Sequence, residues 1–280
     1  MKNVLNDHVV VDGHRIATGR HGQGTPVVLI HGTPAHAVIW RAVTPRLVEA
    51  GCQVHLFDLL GYGKSERPTA YGTSVAAQGR VLEALLDRWD LKTVHLVAHD
   101  IGGAVALRYA VTRPERLLSL TLIDTVSYDS WPSETWRKII SDHLEKFAAV
   151  PAGEMRELLT RQLKMAVHDE SRMSGEVLEA YLEPITGAIG QPSFFLHQVS
   201  HYDSRYTEEI SGRLGAINVP VQIIWGMEDR WQPVSWAHRL AKDIPGARLH
   251  LVPDAGHFLM EDAPETVADL VNHFVREPRR

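Results

Sequence analysis

The apolar run Thr93 to Ala98 ends in His99-Asp100-Ile101-Gly102-Gly103, and a helical pattern follows from Ala104 to Ala110. A buried strand that turns this sharply into a helix strains the backbone of its central residue, Asp100, and draws the flanking backbone together. The positions two before and two after must then be small, as Ala98 and Gly102 are, and Gly103 lets the helix lie close to the strand. The rest of the chain repeats the unit. Pro26 to Ile30, Val54 to Phe57, Leu117 to Ile123, Val219 to Trp225 and Ala247 to Val252 are short apolar runs alternating with helical patterns. That alternation specifies an α/β fold, a mostly parallel sheet wrapped by helices. Val9 to Val11 and His14 to Thr18, joined by Asp12-Gly13, read as an opening hairpin. Pro264 to Arg276 reads as a closing helix with proline in its first turn.

Between about Ser127 and Ile217 the rhythm breaks. Helical patterns continue at Glu134 to Phe147, Glu154 to Val167 and Gly175 to Leu182, with no convincing strand. Trp131, Trp136, Phe147, Tyr181, Phe194, Phe195, Tyr202 and Tyr206 all fall here. An aromatic-rich helical insertion between two strands is expected to cap the sheet's carboxyl edge, where α/β sites lie. Residues 127–217 are therefore assigned to a cap, and 1–126 with 218–280 to the core domain. The alternative is a second packing layer with no part in binding.

Composition excludes several classes. With a net charge of −5 and scattered basic residues, neither nucleic acid nor an anionic membrane is an expected partner. Cys52 is the only cysteine, which rules out an intramolecular disulfide and suits a reducing cytoplasm. Met1 to His8 carries no apolar signal segment, and no stretch reaches the apolar length of a membrane span. Sixteen histidines occur without HExxH or paired cysteines, so no metal or other cofactor is expected. Gly61-Tyr62-Gly63-Lys64-Ser65 lacks phosphate-loop spacing and reads as a surface turn. Trp225 reads as core, and His31 as shaping the loop that follows its strand. The expected partner is a small organic substrate, and the chain a monomer or homodimer.

Asp100 alone would suit a helix cap. It has company. His31-Gly32-Thr33-Pro34 ends another strand, and the N–H groups of Thr33 and Ile101 are candidates for an oxyanion hole. Asp229 follows the strand ending at Trp225, and His257 follows the strand ending at Val252. A nucleophile, an acid and a histidine thus occur in that chain order, each just past a strand. Asp124, at the end of Leu117 to Ile123, is an alternative acid.

In elbow, HGxP loop, cap and terminal Gly256-His257, the chain resembles the aspartate-nucleophile branch of the α/β-hydrolase superfamily. That branch includes epoxide hydrolases and the haloalkane and haloacetate dehalogenases. The resemblance implies an α/β-hydrolase fold with a catalytic triad of Asp100, His257 and Asp229 (or Asp124). A carboxylate is already ionised at neutral pH and needs no base to attack. On an acyl carbon it would give an unproductive anhydride; on an sp³ carbon with a leaving group it gives an alkyl ester. His257 would then activate water to hydrolyse that ester.

The residue after the nucleophile separates the members of the branch. Ile101 stands where haloalkane enzymes usually carry Trp and haloacetate enzymes Arg, which counts against a standard dehalogenase. Epoxide opening needs an acid, in the resembled enzymes normally two cap Tyr or a His and a Tyr; Tyr181, Tyr202 and Tyr206 are available, with Tyr202 leading and His143, His168, His197 and His201 nearby. Trp131 or Trp136 would be the halide donor of the dehalogenase alternative. A third class, a non-hydrolytic lyase, cofactor-free oxygenase or ligand receptor, uses the same fold.

Overall fold

The computed structural model describes residues 4–68 and 72–277. Val27 to Ile30 and Val94 to Ala98 are buried from end to end, the mark of strands covered on both faces. They belong to β3 (Thr25–Ile30) and β5 (Val94–His99). Around them lie β1 (Asp7–Val11), β2 (His14–His21), β4 (Cys52–Phe57), β6 (Leu117–Ile123), β7 (Val221–Gly226) and β8 (Arg248–Val252). The eight strands run in the order β1-β2-β4-β3-β5-β6-β7-β8. From β4 to β8 every pairing is parallel; β1 pairs antiparallel with β2, and β2 with β4. Asp12 (φ 48°) and Gly13 (φ 83°) make the tight turn that joins β1 to β2.

Helices cover both faces. Val43–Glu49 and Pro264–Arg276 bury Leu47, Val267 and Val271 against one face. Val75–Arg88, Ile101–Thr112 and Ser235–Asp243 bury Leu82, Leu85, Val105 and Leu240 against the other. Trp225 lies in this second core, fully buried, its indole N–H donating to the Gln232 carbonyl at 2.9 Å. No helix among the described residues is long and apolar enough to cross a membrane.

The segment between β6 and β7 is helical and fits a cap. Its patterns at Ala152–Met165 and Gly175–Leu182 lie close to expectation. The pattern over Glu134 to Phe147 is interrupted by a wider π turn at Ile139–His143. Gly187–Ser193 and Arg205–Ser211 are further helices that the sequence did not announce. They are short, and Pro192 sits inside the first, so neither carries a sustained period. His36 Nε2 donates to the Ala180 carbonyl at 2.9 Å, and Gln198 Nε2 to the Gly61 carbonyl at 3.3 Å. Those bonds seat the insertion on the loops that follow β3 and β4, over the sheet's carboxyl edge.

One expectation needs correcting. The turn Gly61 to Ser65 is not a surface feature: Gly61, Tyr62 and Ser65 are buried, Tyr62 being 2% exposed. It wraps the buried carboxylate of Asp58, which accepts N–H bonds from Ala37 and Lys64, each at 2.7 Å. A buried carboxylate needs such donors. A Cβ on Gly63 would overlap the Asp58 carboxylate, which fixes glycine at that position.

Candidate active site

Asp100 sits at the junction of β5 and the helix Ile101–Thr112 with φ 53° and ψ −121°. Such a conformation costs a non-glycine residue about 1–3 kcal/mol, and the surrounding backbone holds it there. Its N–H donates to the Ile123 carbonyl at 3.1 Å, and its carbonyl accepts from Gly103 at 2.9 Å and Val126 at 3.3 Å. A Cβ on Gly102 would overlap the His31 carbonyl, and one on Gly103 would overlap the Thr125 side chain. The small residues are thus required by packing, as the spacing implied. Asp100 makes no side-chain cap bond to the helix that follows it.

The carboxylate therefore points elsewhere. Asp100 Oδ1 accepts the Thr33 N–H at 2.7 Å, and Oδ2 lies 3.5 Å from His257 Nε2. Gly32 is tight against this group, with no room for a side chain between it and Asp100. On its other edge His257 donates from Nδ1 to Asp229 Oδ2 at 2.8 Å. Asp229 Oδ1 accepts the N–H groups of Trp231 and Gln232 at 2.7 and 2.8 Å. Both Asp229 oxygens are thereby engaged and its side chain is fully buried. Ile101 begins the elbow helix, which puts its N–H among the free donors of the first turn.

His31, expected to shape its loop, and His99 both make architectural bonds. His31 donates from Nδ1 to the Gly32 carbonyl at 2.8 Å and accepts the Leu59 N–H at Nε2 at 2.9 Å. Burial outweighs the Asp58 charge and lowers its pKa to about 4, which keeps the ring neutral. His99 lies behind the elbow and donates from Nε2 to the His257 carbonyl at 2.9 Å. Burial, then the charge of His257, lowers its pKa to about 3.

Asp124 is brought close but is bonded differently. Its Oδ1 accepts the Gly226 N–H at 2.9 Å, while its Oδ2 is buried without a partner. Burial, reinforced by the charge of Asp229, pushes its carboxyl well above the usual range. The hydrogen bond to His257 belongs to Asp229.

The aromatic candidates divide. The Tyr202 hydroxyl hydrogen-bonds the hydroxyl of Thr33, the residue whose N–H holds Asp100. The Trp131 and Trp136 rings lie 5.5 and 6.2 Å from that of Tyr202. Tyr181, fully buried, is committed elsewhere: its hydroxyl donates to Glu261 at 2.5 Å, and Glu261 also takes the Arg41 guanidinium. Tyr206 lies under Arg205 and Arg108, away from this group. Trp231 escaped the sequence reading, although it stands two residues past Asp229. Its ring lies 4.9 Å from that of His257. Tyr62, beside His31 at 5.5 Å, escaped because its turn was read as exposed.

Electrostatics couple the central pair. Burial opposes the Asp100 charge, but the adjacent His257, with His99 and the Thr33 N–H, still holds its carboxyl below the ordinary range. Burial likewise opposes a charged His257, yet Asp229 and Asp100 raise it well above the usual histidine value. The sign of the pH effect follows. Asp100 stabilises the fold fully above its unfolded pKa of about 3.9, and loses that as pH falls through its folded value. His257 stabilises it fully below about 6.5, and loses that as pH rises through its folded value. The gap in melting temperature between the native chain and Asp100→Asn should therefore be widest between about pH 4 and 6.5. A gap independent of pH would refute the ion pair.

The chain's relatives agree with this architecture. The model of the alpha/beta hydrolase fold family matches residues 25–264. A 2-hydroxy-6-oxononadienedioate/2-hydroxy-6-oxononatrienedioate hydrolase from Cupriavidus pinatubonensis is 30% identical over 241 residues, covering 83% of this chain and 80% of that one. An alpha/beta hydrolase fold protein from Burkholderia ambifaria is 35% identical with a TM-score of 0.89, over 95% of this chain and 97% of that one. A haloalkane dehalogenase from Bradyrhizobium elkani shares the fold, with 22% identity and a TM-score of 0.81 over 96% of each chain. The chain belongs to the alpha/beta hydrolase fold family and is an α/β-fold hydrolase.

Proposed function

We propose that this hydrolase is of the aspartate-nucleophile kind and opens small alkyl electrophiles, epoxides first, without a cofactor. One observation carries the reading: the two oxygens of Asp100 have different employments. Oδ1 is held by the Thr33 N–H at 2.7 Å, and Oδ2 faces His257 at 3.5 Å, outside normal hydrogen-bond reach. Oδ2 is then free to attack an sp³ carbon while Oδ1 stays where an oxyanion must later sit.

The steps follow from these positions. Oδ2 bonds to an epoxide carbon, the ring C–O bond breaks, and the Tyr202 hydroxyl gives its proton to the leaving oxygen. Asp100 becomes a neutral ester, so one of the two charges that held the His257 proton disappears. His257 can now release that proton, in net terms back to Tyr202, and accept one from water. The hydroxide attacks the Asp100 carbonyl carbon, and the charge on Oδ1 falls to the N–H groups of Thr33 and Ile101. Asp229 stabilises the imidazolium. Collapse frees a diol and restores Asp100. Asp100, His257 and Asp229 are the catalytic residues of this reading, and Tyr202, Trp131 and Trp136 the substrate-binding ones.

Heavy-oxygen water tests it. In a single turnover the diol should carry unlabelled oxygen and the peptide containing Asp100 should gain the heavy atom. Label in the diol alone would mean direct attack by water and overturn the reading.

A dehalogenase is the second reading, favoured by the indole N–H groups of Trp131 and Trp231. Both are buried without a partner, the former beside Tyr202 and the latter beside His257. The relative from Cupriavidus suggests a third, hydrolysis of a dienedioate. Asp100 argues against it, because a carboxylate attacking an acyl carbon stalls as an anhydride. Turnover of such a dienedioate, with no adduct on Asp100 from any epoxide or haloalkane, would favour that reading.

A further inference from the structure

Thr33 meets the site with both its backbone and its side chain. Its N–H holds Asp100 Oδ1 at 2.7 Å, and its hydroxyl hydrogen-bonds that of Tyr202. One residue of the core therefore grips both the carboxylate and a phenol of the insertion. The same hydroxyl lies 3.4 Å from Gln198 Oε1. That amide is oriented by its other end, where Nε2 donates to the Gly61 carbonyl at 3.3 Å. A carboxamide oxygen can only accept, so the Thr33 proton points to Gln198 and the Tyr202 proton to Thr33. At 3.4 Å the bond to Gln198 is long for two oxygens and is readily given up. We propose that the Thr33 hydroxyl is a positioning group for Tyr202: it holds the phenol beside Asp100, and turns its proton from Gln198 to the phenol oxygen when that oxygen gives up its own.

The surroundings of the phenol create the need for such a group. Burial raises the Tyr202 pKa well above the ordinary tyrosine value, Tyr62 and Asp100 add to the rise, and the Thr33 hydroxyl acts the other way. A phenol in that state parts with its proton readily only if a donor meets the phenolate left behind. The Thr33 hydroxyl is already in contact, and a rotation about its C–O bond brings its proton round. No proton leaves Thr33. The Tyr202 proton goes to the leaving oxygen, and the phenolate accepts the Thr33 hydrogen bond until the net return of a proton from His257. Hydrolysis of the Asp100 ester calls instead on the Thr33 N–H, which faces Oδ1. The two steps thus use different atoms of one residue.

The proposal rests on the reading of Asp100 and Tyr202 given above, and the experiment separates the two. Thr33→Val, Thr33→Ser, Tyr202→Phe and the double variant Thr33→Val with Tyr202→Phe are treated with styrene oxide. Formation and hydrolysis of the Asp100 ester are followed separately. Valine keeps the shape and the backbone N–H of Thr33 and removes the hydroxyl. Thr33→Val should slow ester formation about 30-fold and ester hydrolysis less than about 3-fold, because a hydrogen bond to a charged group is lost in the first step alone. Thr33→Ser, which keeps the hydroxyl, should recover most of the loss. In the Tyr202→Phe background Thr33→Val should slow ester formation less than about 3-fold, since its effect passes through the phenol. Unchanged ester formation, equal slowing of both steps, no recovery with serine, or a loss that persists without the phenol overturns the positioning role and leaves the nucleophile standing. A native chain that forms no ester overturns the reading of Asp100. An ester that forms as fast in Tyr202→Phe overturns the reading of Tyr202, and the proposal falls with either.

Discussion

A His257→Gln enzyme should stop halfway through its reaction. Alkylation needs only the ionised Asp100 carboxylate, which no base has to activate. In the proposed mechanism hydrolysis of the ester needs a base, and His257, 3.5 Å from Asp100 Oδ2 and 2.8 Å from Asp229, is assigned that part. Glutamine fills similar space and cannot take the proton. Steady turnover should fall by at least about 10³-fold, while intact mass shows one covalent adduct per chain. From an epoxide the adduct equals the whole molecule; from a haloalkane it equals the molecule less hydrogen halide. Incubation with both therefore decides between the first and second readings. An unmodified chain after exposure to broad panels of each would sink the ester mechanism.

Asp100→Ala should lose turnover by about 10⁴-fold or more, with no adduct from any substrate. The same change should alter His257. Asp100 is one of the two carboxylates that raise its pKa, so removing it should bring the value down. Titration of the imidazole by NMR in native and Asp100→Ala chains reads this directly. The fold should tolerate the change, since the bracing bonds of residue 100 come from its backbone. An Asp100→Ala chain that keeps most of its activity would end the case for this nucleophile. Unchanged titration of His257 would remove the charge-release step, in which alkylation frees the base that completes the cycle.

The elbow, strand and turn features were legible in the sequence because their causes are local. Gly102 and Gly103 are small because the His31 carbonyl and the Thr125 side chain lie against them, and that need is written at fixed offsets from Asp100. β6 and the closing helix fall at Leu117–Ile123 and Pro264–Arg276, as their apolar period and first-turn proline indicated. The chain order of Asp100, Asp229 and His257, each past a strand, was likewise readable, since strands of a parallel sheet all deliver their ends to one edge.

The choices among like residues were not. Asp124 and Asp229 both stand beside β7 or β6 ends, and only the fold shows His257 bonded to Asp229 while Asp124 faces Gly226. Tyr181 is a buried and Tyr202 a half-buried tyrosine of the same insertion, yet one meets Glu261 and the other Thr33, a residue 169 positions away. Trp231 and Tyr62 entered the site through turns whose burial no local pattern records. Sequence by itself determined the sheet, the elbow and the presence of a carboxylate at its apex, because each depends on neighbours a few residues away. Tertiary structure decided which acid, which tyrosine and which tryptophans surround that carboxylate, because those contacts join segments far apart in the chain and depend on distances that no spacing encodes.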